Sequence, residues 1–167
     1  MIQVNPFYTS PQMSVKPLLQ ENYKTVKDIF QEAFGPQGYI CEDIGYAWRK
    51  RILGMSQGYF NDDGDLLGFA IVNKRTPKKA PYLHFFAVYE NYKSLGYGSK
   101  IIKAILDKAP NVYLWPEGAS EEDTEALKRW YEKNGFRLSS DNFYVIHAYN
   151  TRSKPKLQLL PKPTTQK

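Results

Sequence analysis

The chain has 167 residues and a mass of 19.4 kDa, enough for one compact domain and short for two. Hydrophobic residues make up 42% and charged residues 24%, so a core can be buried and a disordered polymer is excluded. Cys41 is the only cysteine and His84 and His147 the only histidines, which rules out an internal disulfide and a multi-ligand Cys/His metal site.

The net charge is +6, but Arg152, Lys154, Lys156, Lys162 and Lys167 lie beyond the last acid, Asp141. Up to that point basic and acidic groups nearly balance, so nucleic-acid binding by the folded part is not expected. Pro155, Pro161 and Pro163 among the lysines make residues 151–167 read as an extended, solvated tail or as a basic arm for an acidic partner. No apolar run approaches the roughly 18 residues of a membrane span. The start, MIQVNPFYTSPQMSVK, lacks a basic stretch followed by an apolar block, so a soluble cytoplasmic protein without membrane contact is expected.

Residues 1–12 read as an N-terminal extension and 13–150 as one domain. Within it, Ser14 to Leu19 is a short strand, and Val26, Ile29, Phe30, Ala33 and Phe34 mark a helix over Glu21 to Phe34. A second helix is predicted from Asp43 to Leu53, ended by Gly54. Gln57 to Phe60 and Leu66 to Asn73 flank the turn composition Asn-Asp-Asp-Gly-Asp and read as an antiparallel pair. Tyr82 to Tyr89 is apolar and aromatic almost throughout, as in a central strand covered on both faces. A helix over Gly98 to Lys108, a strand over Val112 to Trp115, and a helix over Ser120 to Asn134 closed by Gly135 follow. Phe136 to Leu138 and Phe143 to Tyr149 complete an α/β (α+β) arrangement: a mixed, mostly antiparallel sheet of six or seven strands with helices on both faces.

Chemistry concentrates where the Tyr82 strand runs through a glycine-containing loop into the next helix. A helix start offers unpaired N–H donors and the positive end of the dipole to an anion. Glycine lets the backbone approach that anion, and Lys93 and Lys100 add charge. The segment suits pyrophosphate, although Gly-x-Gly by itself also serves merely to turn the chain.

The context resembles the GNAT superfamily of acetyl-CoA-dependent N-acetyltransferases. Val88 followed by Lys93-Ser-Leu-Gly96-Tyr-Gly98 is similar to the family's strand end and Gln/Arg-x-x-Gly-x-Gly/Ala loop, and Trp130-Tyr131-Glu132-Lys133-Asn134-Gly135-Phe136 to its Tyr-Glu-Lys-x-Gly-Phe helix ending. The likeness spans roughly residues 13–149. It implies acetyl-CoA as cosubstrate, an amine acceptor and no metal; relatives commonly form homodimers. By position, the backbone of Phe86 and Val88, with Ala87 between them, pairs with the pantetheine arm, and the amides of Lys93, Ser94, Leu95, Gly96, Tyr97, Gly98 and Ser99 cradle the pyrophosphate. Lys93 departs from the usual Gln/Arg, and Thr124 stands where many relatives place an asparagine near the cofactor.

The resemblance assigns Tyr131 as proton donor to the departing thiolate. A glutamate base found in lysine-acetylating relatives is missing at Tyr82, whereas His84 matches a histidine that arylalkylamine acetyltransferases use to relay the proton through water; bulk water is the other candidate base. By alternation Tyr82, His84, Phe86 and Val88 share one face. His84 could equally be a hydrogen-bonded core residue and Tyr131 a packed aromatic. Cys41 has no matched base for acyl transfer, and Trp115 either lines the acceptor pocket or packs in the core. Glu42, Asp43, Glu117, Glu121, Glu122 and Asp123 could attract a cationic amine or simply solvate helix starts. A primary amine of a small molecule is the expected acceptor; the alternatives are a protein lysine or N-terminal amine, and, in another class, a non-catalytic CoA-binding sensor or interaction module.

Overall fold

The computed structural model describes residues 14–35, 41–74, 80–109, 111–116, 118, 120–139 and 143–147, so the N-terminal extension and the basic tail lie outside the described residues. Seven strands form one sheet in the order β1-β2-β3-β4-β5-β7-β6. They are β1 (Ser14–Pro17), β2 (Gln57–Phe60), β3 (Leu66–Asn73), β4 (Tyr82–Val88), β5 (Asn111–Leu114), β6 (Arg137–Leu138) and β7 (Tyr144–His147). Only β4 and β5 pair in parallel, through the crossover helix α3 (Tyr97–Leu106); every other neighbour is antiparallel. The expected mixed, mostly antiparallel sheet is therefore present.

Helices α1 (Tyr23–Phe34) and α2 (Cys41–Arg49) cover one face, and α3 with α4 (Glu121–Lys133) the other. On α1 the periodic residues Val26, Ile29, Phe30 and Phe34 are all buried. Phe30 meets Phe85 of β4 edge-on with ring centres 4.9 Å apart, which fixes the helix over the strand. Removing such a buried phenylalanine ring costs about 3–5 kcal/mol. Opposite, Ile101, Ile102, Ile105 and Leu106 of α3 pack with Ala70, Val72 and Leu83. β3, buried along its whole length, serves both cores, so its run of apolar residues shows no alternation.

Two expectations are corrected. The second helix stops at Arg49, well before Leu53; Gly54, at φ +82°, sits in the turn that follows instead of capping the helix. The alternation along β4 also fails. Val72 pairs with Leu83 and Ile71 with Phe85, leaving His84 as the extra residue of a bulge. Leu83 and Phe86 consequently belong to the α3/α4 core, three residues apart, while Phe85 and Ala87 belong to the α1/α2 core. His84 stacks beside Phe85, ring centres 4.5 Å apart and planes 13° from parallel. Tyr82, His84, Phe86 and Val88 thus do not form one row.

Candidate active site

The bulge coincides with a parting of the sheet. Pairing between β4 and β5 covers only Tyr82↔Tyr113 and Leu83↔Leu114, and beyond Leu83 the two strands separate. The amide of Tyr89 donates to the Leu67 carbonyl on β3 at 3.0 Å. Because successive amides of a strand point to opposite sides, the backbone groups of Phe86 and Val88 are directed into the opened gap, where an extended chain can pair with them.

A groove of about 460 Å³ runs from this gap along the start of α3 and the side of α4. Phe86, Ala87, Val88, Lys93, Ser94, Gly96, Tyr97, Gly98 and Ser99 all line it, as does Trp130. Ser94 at φ +66° and Gly96 at φ +87° both adopt the left-handed conformation, with Leu95 between them, which turns consecutive N–H groups toward one side. No amide from Ser94 to Ser99 donates to a protein group among the described residues, and α3 has no side-chain cap. The Lys93 amide, by contrast, is bonded to the Glu90 carbonyl, and its ammonium forms an exposed pair with Glu90 at 3.2 Å. Leu95 points away and is 57% exposed.

Gly98 is required by packing. A Cβ there would lie 2.8 Å from Phe86 Cζ and 3.2 Å from Trp130 Cζ2, the two rings that form the groove floor. The start of α3 is tied to the end of α4, since the Ser99 hydroxyl donates to Asn134 Oδ1 at 2.9 Å while Asn134 Nδ2 donates to the Trp130 carbonyl. Thr124 does not line the groove. Its hydroxyl donates to the Ser120 carbonyl and accepts from the Gly118 amide, so it shapes the turn before α4.

A second, smaller cavity of about 110 Å³ adjoins the groove and shares Phe34, Phe86 and Leu127 with it. Tyr82, His84, Phe85, Trp115 and Tyr131 also line it. The structure therefore brings both candidate catalytic side chains, from β4 and α4, to the walls of the smaller cavity. Tyr131 is 5% exposed, and burial, followed by the nearby Tyr82, pushes its hydroxyl well above the ordinary tyrosine range. The group stays protonated at any working pH. Trp115, 51% exposed, stands just past β5 with its edge against Phe143, so it lines the cavity rather than a core.

No acidic side chain lines the small cavity among the described residues. Asp123 lines the cofactor-sized groove, and Glu121 and Glu122 are exposed on the first turn of α4. Glu117 and the side chains of Cys41 and Glu42 lie outside the described residues. Sequence reasoning missed Phe34, Leu127 and Trp130 as site residues, because their helical spacing marks them only as packing positions. It also missed Asn73, whose Nδ2 lies 2.9 Å from His84 Nδ1; a polar residue ending a buried strand was the available signal.

The sequence profile described as the Acetyltransferase (GNAT) family matches residues 19–136. The chain belongs to this family and is an acetyl-CoA-dependent acetyltransferase. Among solved structures, it is similar to a GCN5-related glucosamine N-acetyltransferase region in a fungal multi-domain GH3 β-N-acetylglucosaminidase, at 14% identity and a TM-score of 0.66, covering 78% of this chain and 18% of that one. It is also similar to the GNAT family N-acetyltransferase YhbS from Escherichia coli in complex with CoA, at 11% identity and a TM-score of 0.66 over 95% and 91% of the two chains. Ard1 from Thermoplasma volcanium aligns at 22% identity and a TM-score of 0.61, over 80% and 94%. At these identities the likeness establishes the shared fold. A search among curated proteins finds no match. No described helix is long and apolar enough to cross a membrane, and the described residues contain no cluster of His, Cys, Asp and Glu that could hold a metal ion.

Proposed function

We propose that the protein transfers acetyl from acetyl-CoA directly to the primary amine of a small molecule, using the large groove for the cosubstrate and the small cavity for the acceptor. The observation that carries this reading is the junction itself: two spaces of very different size meet at Phe34, Phe86 and Leu127, and Tyr131 and His84 line the smaller one. Acetyl-CoA supplies a thioester carbonyl to the amine and leaves as a thiolate.

The residues divide the work. Amides from Ser94 to Ser99 hold the pyrophosphate, with Lys93 and Lys100 contributing general positive potential. The gap-facing backbone of Phe86 and Val88 holds the pantetheine arm. Tyr131 donates a hydrogen bond to the sulfur. A thiol ordinarily titrates near pH 8.5, below this phenol, so full proton transfer from Tyr131 would run uphill; its hydroxyl stabilises the thiolate while keeping its own proton. His84 handles the proton that the amine must lose before or during attack.

Support for a small acceptor comes from the cavity walls. They are aromatic, enclose only about 110 Å³, and carry no charge among the described residues. An ammonium entering there meets aromatic side chains instead of a carboxylate, so it is held less firmly than by an ion pair and gives up its proton more readily. The test is acceptor-dependent thiol release from acetyl-CoA with small aliphatic and arylalkyl amines alongside lysine peptides. Turnover with small amines is expected. Turnover with peptides alone would overturn the acceptor class, and acetyl-CoA binding without release from any amine would favour a non-catalytic CoA-binding role.

A further inference from the structure

The start of α3 and the end of α4 meet in two ways, and only one of them is directional. In the first, the Trp130 ring lies against Gly98, where an added Cβ would stand 3.2 Å from Trp130 Cζ2. A flat ring on a bare glycine brings two helices close but does little to stop one sliding past the other. In the second, the Ser99 hydroxyl donates to Asn134 Oδ1 at 2.9 Å, and Asn134 Nδ2 donates to the Trp130 carbonyl at 2.9 Å. Hydrogen bonds weaken steeply with misalignment, so this second contact fixes the register.

Neither side chain is needed to finish its own helix. At the end of α4 the amides of Asn134, Gly135 and Phe136 already return to the carbonyls of Trp130, Glu132 and Tyr131, with Gly135 at φ +103°. The Trp130 carbonyl is therefore satisfied before Asn134 Nδ2 reaches it. A helical serine commonly bonds to its own helix's backbone; Ser99, in the first turn of α3, crosses to the neighbouring helix instead. An apolar pair of the same shape would serve stability about as well.

We propose that Asn134 is a positioning residue that sets where the Tyr131 hydroxyl stands relative to a cosubstrate held by the start of α3. This inference rests on the proposed function, in which amides from Ser94 to Ser99 hold the pyrophosphate and Tyr131 meets the sulfur. Pyrophosphate and sulfur lie at the two ends of the pantetheine arm, so the two helices must present their groups at one fixed separation. Ser99 closes the row of amides on α3, and Tyr131 lies three residues before Asn134 on α4. The Tyr131 carbonyl also accepts the Asn134 amide at 3.0 Å, which ties the phenol's own backbone to the strut. Asn134 itself lines neither the groove nor the small cavity, so it acts through these partners. Loss of the strut displaces the phenol and leaves the donors of α3 in place. The cost therefore falls on the chemical step and spares binding.

Asn134→Ala should lower kcat about tenfold with the best small amine, while KM for acetyl-CoA and CoA affinity by calorimetry stay within about twofold of wild type. In a Tyr131→Phe background the same substitution should cost less than about twofold, because the group it positions is gone. Carbon-13 NMR of the full chain labelled at tyrosine Cζ reads the relation with CoA as probe and no acceptor. The Tyr131 signal, assigned by comparison with Tyr131→Phe, is expected to move when CoA saturates the wild type, and to move less than about half as far in Asn134→Ala. Ser99→Ala removes the strut from its other end, keeps the amide, and should reproduce the lowered kcat and the reduced shift even if Asn134→Ala does not fold. Equal shifts in wild type and variants, or an undiminished loss in the Tyr131→Phe background, overturn the inference. A wild-type Tyr131 signal left unmoved by CoA that calorimetry shows to be bound overturns the placement of Tyr131 at the sulfur, and the inference with it.

Discussion

Helices α3 and α4 lie on the same face of the sheet and begin in opposite ways. At α4, the Ser120 side chain accepts from the Asp123 amide at 3.0 Å, and Glu121, Glu122 and Asp123 follow in the first turn. That helix satisfies its own dipole and repels a further anion. At α3, no side chain caps the start, no acid occupies the first turn, and Gly96 enters at φ +87°. The donors that α4 uses internally are left open in α3. One start is finished as structure; in the proposed function the other is completed by the cosubstrate, and α4 contributes to the chemistry only from its third turn, through Tyr131.

The comparison can be broken at several points. The largest effect belongs to the chemistry on α4: Tyr131→Phe should lower the rate of acetyl transfer by about 10²-fold while leaving acetyl-CoA affinity, measured by calorimetry, within about twofold. Making the start of α3 resemble that of α4 comes next. Gly96→Asp adds a capping carboxylate and forces an L residue into the left-handed region, and should weaken acetyl-CoA binding by about tenfold. Ser120→Ala is its counterpart, expected to cost about 1 kcal/mol of stability in urea unfolding and to leave the affinity unchanged. Equal losses of affinity in the two variants would erase the distinction between the two starts.

A pH experiment separates Tyr131 from the other tyrosines that burial shifts. Because burial holds the Tyr131 hydroxyl above its ordinary value of 10.0, the folded state keeps a proton that the unfolded chain releases. Stability is therefore fully present below about pH 10 and falls as pH rises beyond it, as the native state binds more protons than the unfolded one. Tyr59, Tyr89 and Tyr144 are shifted in the same direction, first of all by burial. The urea midpoint should drop between pH 9 and pH 11, and the drop should be shallower in Tyr131→Phe. The smallest effect is expected at Ser94, whose φ of +66° strains an L residue. Ser94→Gly relieves that strain but adds backbone freedom to the unfolded chain, for a net gain of about 0.5 kcal/mol.

Legibility followed the range of the interactions. Strand β2 and strand β3 emerge with their observed limits because Asn61 to Asp65 makes a local turn, with the Gly64 amide bonded to the Asn61 carbonyl. The loop before α3, proposed to hold the cosubstrate, is legible for the same reason: its donors, its glycines and its lysines are neighbours in the chain. The Lys93 amide is less readable, since its bond to Glu90 depends on a short 3-10 turn between strand and loop. The face of His84 was misread because a bulge is a relation between two strands, and no pattern within β4 announces it. Gly54 was misread for a related reason. After Arg49 the chain bends to bring the Ile52 amide onto the Val72 carbonyl at 2.7 Å, and this long-range bond outweighs the local tendency to continue the helix.

By itself the sequence determined the order of elements, the family and the open helix start, because periodicity, turn chemistry and a helix's unpaired donors are properties of a few consecutive residues. Only the tertiary structure decided where the sheet parts, that His84 leaves the strand's alternation, and that Phe34, His84, Trp115 and Tyr131 come to one cavity. Those residues are separated in the chain by up to dozens of positions, and what joins them is packing between elements and pairing between strands, which no local pattern encodes.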